Sequence, residues 1–161
     1  MSNFVKRVLS NGRSRRALTA LQSFAENSPG FGSLALWVDQ VDAEPIEFYG
    51  TSPMAWTNGK ACFYTERFEQ LEDLAEKVGV VAHETWHVAF QHNNRAQKMA
   101  REIADYNHFI CCLAADGIID EGLTGRGRRR SWLRLPNGCV NLISMLKEVL
   151  GESWTSEEAL A

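Results

Sequence analysis

Residues 80 to 93 read Val-Val-Ala-His-Glu-Thr-Trp-His-Val-Ala-Phe-Gln-His-Asn, and they carry His83, Glu84 and His87 in the spacing HExxH. On a helix, residues four apart lie one turn above each other on the same face, so the two imidazoles can chelate one metal ion. Glu84 follows His83 directly and projects about 100° further round the helix. There it can reach a water on the ion without displacing it. Two neutral imidazoles, an open position for water and a carboxylate to take its proton are the parts a zinc hydrolase requires. The surroundings strengthen this reading. Val80, Val81, Ala82, Trp86, Val88, Ala89 and Phe90 make the helix apolar, and charge-capable side chains in such a helix are costly unless something binds them. All four histidines, His83, His87, His92 and His108, fall in one window that also holds Glu102 and Asp105.

Outward from this helix, the sequence predicts a chain of mixed α+β type. Ala17, Leu18, Ala20, Leu21, Phe24 and Ala25 recur at helical spacing, after Ser14 as an N-cap and before a stop at Asn27-Ser28-Pro29-Gly30. Ser33 to Val38 reads as a strand, Ile46 to Tyr49 as a second, and Met54 to Trp56 with Ala61 to Tyr64 as a hairpin about Asn58-Gly59. From Phe68 to Asn93 an apolar stripe through Leu71, Leu74, Ala75, Val78, Ala82, Trp86 and Ala89 predicts one long helix. Gly79, one turn before His83, marks a place where another backbone comes close. A turn at Asn93-Asn94 leads to a helix over 97–115, and a closing helix spans Cys139 to Leu150.

The 161 residues suit a single domain with its core over about 13–150 and a loosely held acidic tail over 151–161. Such a length buries roughly two-thirds of the unfolded surface without disulfides. A net charge of −3 exerts no global attraction on nucleic acid or anionic membrane. The chain has neither a long apolar segment near Met1 nor a run long enough to span a bilayer, so the expectation is a cytoplasmic protein with no membrane partner. Cys62, Cys111, Cys112 and Cys139 lack CxxC spacing and read as reduced thiols.

A helix, a small sheet, an HExxH helix and a second helix bearing acidic residues is the order of a zincin, in which a metal lies between two helices. The segment from about Arg15 to Gly117 resembles more closely a zincin-like metallopeptidase domain family of bacterial and phage proteins, often fused to von Willebrand A-like domains. The resemblance rests on Ser28-Pro29-Gly30-Phe31-Gly32, the Asn58-Gly59 hairpin, HExxH followed by His92, and Ile103-Ala104-Asp105-Tyr106. It implies one Zn2+ per chain, His83 and His87 as ligands, Glu84 as the catalytic base, Asp105 as the acidic residue of the second helix, and a protein or peptide substrate. Where family members carry an asparagine a turn after that aspartate, this chain has Phe109, with Asn107 close by.

Helix geometry bears on the third ligand independently. If the two helices fold back about residue 95, position 85 faces position 105, and Asp105 arrives between the imidazoles. Glu102 and His92 are its rivals. His92 points away from the ion unless the helix breaks after His87. Glu102, His92 and His108 are also candidates to orient a ligand by hydrogen bonding, and Tyr106 is a candidate to stabilise an oxyanion. Two other functions compete with the peptidase: a silent zincin-fold binding module, and a SprT-like protease acting on DNA-bound proteins. The latter draws on Arg126, Arg128, Arg129, Arg130 and Arg134, which could contact phosphates. With Trp132 the lone aromatic among them, the run reads better as a solvated loop than as a nucleic-acid site.

Overall fold

A computed structural model describes residues 14–47, 50, 52–124 and 130–137. The described elements run α1 (Leu18–Asn27), α2 (Pro29–Trp37), β1 (Asp39–Asp42), β2 (Ala55–Thr57), β3 (Ala61–Tyr64), α3 (Glu66–Glu69), α4 (Leu74–Ala89), α5 (His92–Glu102) and α6 (His108–Thr124). This is an α+β fold, with six helices and a three-stranded mixed sheet among the described residues. The strand order is β1-β3-β2, with β3 parallel to β1 and antiparallel to β2. The expected Asn58-Gly59 hairpin is present. The Asn58 side chain accepts from the backbone N–H groups of Lys60 and Ala61, and Gly59 takes φ of 86°, which a side chain would disfavour.

Ser33 to Val38, expected as a strand, lies almost entirely in α2. Pro29 sits in the first turn of that helix, so the residue that stops α1 also starts its successor. Gly32 explains the close crossing of the two, since a Cβ there would lie 2.4 Å from the Ala25 Cα. A short apolar run such as Leu34-Ala35-Leu36-Trp37 has no period that separates a strand from a buried helix. The strand forms instead over the more polar Asp39–Asp42. Its inward residue Gln40 is buried but satisfied, donating to the Ala35 carbonyl (2.7 Å) and accepting from the Tyr64 hydroxyl (2.7 Å). Ile46 and Glu47 are not in a strand, and the rest of that expected strand lies outside the described residues.

The long helix expected from Phe68 to Asn93 is divided. Asp73 caps a fresh start by accepting from the Ala75 N–H at 2.7 Å, and Gln91, with φ of 53°, turns the chain left-handed immediately after α4. The helix expected over 97–115 is divided too. α5 ends at Glu102, Ile103 is extended, and α6 begins at His108, where the Asn107 side chain accepts from the Ile110 N–H.

The core packs around α4. Val78, Val81 and Ala82 meet Leu21 and Phe24 of α1, Tyr64 and Phe68 from the sheet side, and Ile119 and Leu123 of α6. Burial of each larger side chain stabilises by about 1.5–3 kcal/mol, which holds the histidine-bearing helix rigidly among its neighbours. The backbone approach expected at Gly79 comes from the segment at Arg134: a Cβ on Gly79 would lie 2.0 Å from the Arg134 carbonyl oxygen, and the Arg134 N–H donates to the Ala75 carbonyl. Trp86 stacks on Phe31 and fits against α6 only because residue 122 is glycine. The helix expected over 139–150, the tail, and Arg126, Arg128 and Arg129 lie outside the described residues. No described helix is long and apolar enough to cross a membrane, and the described cysteines, Cys62, Cys111 and Cys112, are free.

Candidate metal centre

The one-turn spacing on α4 brings the His83 and His87 Nε2 atoms to 2.9 Å of each other. A carboxylate from α6 completes the group: Asp116 Oδ1 lies 3.0 Å from His87 Nε2 and 3.7 Å from His83 Nε2. A tetrahedral ion with bonds of about 2.0–2.1 Å separates its ligand atoms by roughly 3.3 Å. The triangle His83, His87, Asp116 fits that requirement, and among the described residues it is the group of such side chains able to hold a metal.

The imidazoles are oriented from behind. Asp120, one turn after Asp116 on α6 and almost fully buried, places Oδ1 2.7 Å from His83 Nδ1. That carboxylate can hold a proton on Nδ1, so that Nε2, on the side of His87 and Asp116, is the nitrogen to be offered to an ion. His87 Nδ1 lies 3.1 Å from His92 Nδ1. Burial, together with His87 and Arg95, lowers the His92 pKa to about 4, so its ring is neutral and can accept the His87 Nδ1 proton. The left-handed turn at Gln91 breaks the helix after His87 and swings His92 back beside it.

Electrostatics at the pair follow from this packing. Burial disfavours a charge on His83, but the bonds to Asp116 and Asp120 outweigh it and raise its pKa to about 10 when no ion is present. Burial works on Asp116 in the opposite sense and is likewise outweighed, by its bonds to His83 and His87, so this carboxyl stays ionised far below the usual carboxylate range. Glu84 is buried beside them, and that burial raises its pKa against the pull of His83 and His87. A carboxylate raised in this way is a stronger base than one in water.

Two cavities of about 390 and 290 Å3 flank the group. His83, Glu84, Asp116, Pro53 and Ala55 line both, so they are lobes of one cleft meeting at the histidines. The larger lobe is mostly apolar, lined by Trp56, Ala96, Cys111 and Ala115 together with His92 and His108.

The carboxylate expected between the imidazoles was Asp105. It lies instead on the exposed link between α5 and α6, and neither cavity includes it. The hairpin register that would bring it inward requires a helix continuous through residue 105, and the break after Glu102 removes that register. Glu102 ends α5 exposed, its nearest cationic partner Lys98 at 3.9 Å. Tyr106 bonds through its hydroxyl to His108 Nδ1 and lies outside the lining of both lobes. Asp116 and Asp120 carry a readable signal: two carboxylates one turn apart in the otherwise apolar run from Phe109 to Asp120. It is the same signal that marks the HExxH helix. In the arginine run, Arg134 pairs with Asp73 and Glu76 at the start of α4, and the Arg130 guanidinium lies over the Trp132 ring.

Two imidazoles and a carboxylate on packed helices, with a buried glutamate at their side and an open cleft in front, form a candidate metal site of the kind found in metal-dependent hydrolases. Residues 12–161 match the model of the family described as "Putative metallopeptidase domain", and the chain belongs to that family. No curated protein and no solved structure matches it.

Proposed function

We propose that the protein is a zinc-dependent peptidase in which His83, His87 and Asp116 hold the ion and Glu84 is the general base. The observation that carries this reading is the convergence of the three donor atoms at one point of a cleft that Glu84 also lines. Two nitrogens and one carboxylate oxygen, leaving a position open to the cleft, suit catalytic zinc. When bound, zinc polarises the scissile carbonyl and acidifies water. Glu84, with its raised pKa, accepts the proton of the attacking water and returns it to the leaving amine. Asp120 and His92 keep the two imidazoles in the tautomer and orientation the ion needs. β2 pairs on one side only, with β3, among the described residues, and Ala55 to Thr57 line the larger lobe. A substrate in extended conformation can add to that edge by backbone hydrogen bonds while its side chains enter the lobes.

Metal analysis and a peptide-cleavage screen on the wild type and Glu84→Gln test this. The expected result is one zinc per chain in both and cleavage slowed by at least about 100-fold in the variant. Loss of zinc from Glu84→Gln would make Glu84 a ligand rather than a base, and equal cleavage by both proteins would remove its catalytic role.

A further inference from the structure

Among the described residues lining the two lobes, Arg67 is the sole lysine or arginine. It belongs to α3 and lies in the smaller lobe together with His83, Glu84, Asp116 and Asp120. Its Nη1 donates to the Ser52 carbonyl, a contact that anchors one edge of the guanidinium. Arg16 and Arg134 each pair with a carboxylate, whereas Arg67 has none within ion-pair distance among the described residues. A guanidinium offers several N–H donors in a planar fork, and one carbonyl leaves most of them available. The lobe's own acidic groups would repel an incoming anion, and a cation placed there offsets that repulsion locally.

We propose that Arg67 determines specificity by receiving a carboxylate of the substrate in the smaller lobe. This rests on the peptidase reading, because it takes the cleft to be a peptide site. The carboxylate can come from an aspartate or glutamate side chain or from the free end of a peptide chain. Bidentate pairing is the geometry a guanidinium fork provides for either. Arg67 acts on binding and not on the reacting atoms, so its effect belongs in KM. The larger lobe, walled by Trp56 and Ala115, takes an apolar residue on the other side of the scissile bond.

The test uses matched peptides that differ by Glu against Gln, Asp against Asn, or a free against an amidated C-terminus. Binding is read by fluorescence anisotropy on the metal-free protein and cleavage on the zinc-loaded protein. The wild type should bind the acidic member at least about tenfold more tightly and cleave it with a correspondingly lower KM, and the pair that shows the preference identifies the source of the carboxylate. Arg67→Gln keeps a donor for the Ser52 carbonyl but removes the charge. It should abolish the preference, and Arg67→Lys should restore part of it. Equal binding of all matched pairs, or a preference retained in Arg67→Gln, overturns the proposal. Acid preference in binding without cleavage would instead remove the peptidase reading and leave Arg67 as an anion-recognition residue. Glu84-dependent cleavage indifferent to the carboxylate would do the reverse.

Discussion

Asp120 Oδ1 lies 2.7 Å from His83 Nδ1, behind the ring face that meets His87 and Asp116. This contact joins α6 to α4 across 37 residues of sequence and fixes which nitrogen of His83 is free to bind an ion. Replacing Asp120 with Ala should weaken zinc binding by about 10–100-fold, because an unoriented imidazole is a poorer and less basic ligand. Asp120→Asn retains an acceptor oxygen and should fall between. Competition titration against a zinc chelator measures both, and wild-type affinity in Asp120→Ala would show that the contact is structural only.

Asp116 and Asp105 separate the geometry of the folded chain from the expectation of a continuous helix. Asp116→Ala should lose stoichiometric zinc at micromolar concentrations, and Asp105→Ala should keep it, since Asp105 is exposed on the α5–α6 link. Metal content after dialysis distinguishes them. The opposite pattern would require the α5–α6 segment to rearrange when the ion binds.

Gly79→Ala should destabilise the fold despite alanine's better helix propensity. That propensity contributes about 1 kcal/mol in favour, but the new methyl would lie 2.0 Å from the Arg134 carbonyl oxygen, which is backbone and cannot rotate aside. Overpacking of this kind costs roughly 1–3 kcal/mol or more. A thermal melt should therefore show a lower Tm for the variant. A higher one would mean that the segment at Arg134 does not rest on α4.

Asp42 supplies a pH-dependent tie between β1 and the residues before α1. Burial acts to raise its pKa, but bonds from the Ser14 hydroxyl and from the Arg15 and Arg16 N–H groups, helped by the Arg16 charge, bring the net value below that of an ordinary aspartate. A folded-state pKa below the unfolded one gives stability that is present above the unfolded value of about 3.9 and lost as pH falls through the folded value. Asp42→Asn should accordingly melt lower than wild type at pH 7, with the gap closing towards pH 3. A gap that is constant with pH would assign the effect to lost packing or to the neutral hydrogen bonds.

What the sequence determined by itself is local. The pairing of His83 with His87 and the position of Glu84 follow from helical periodicity over one turn. The Asn58-Gly59 hairpin follows from turn chemistry over a few residues. Gly79 announced a close backbone, although not which one; Arg134 is that backbone. Ser33 to Val38 reads as a strand from sequence, but a short apolar run satisfies strand and helix alike, and Pro29 with the Gly32–Ala25 contact decides for the helix. Asp116 and Asp120 depended on tertiary structure for a similar reason. The left-handed residue at Gln91 and the break at Ile103 reset both direction and phase between α4 and its acidic partner. Helical phase cannot be carried across a break. Only the packing of Ile119 and Leu123 against α4 determines that α6, and not the chain around Asp105, turns its carboxylates towards the histidines.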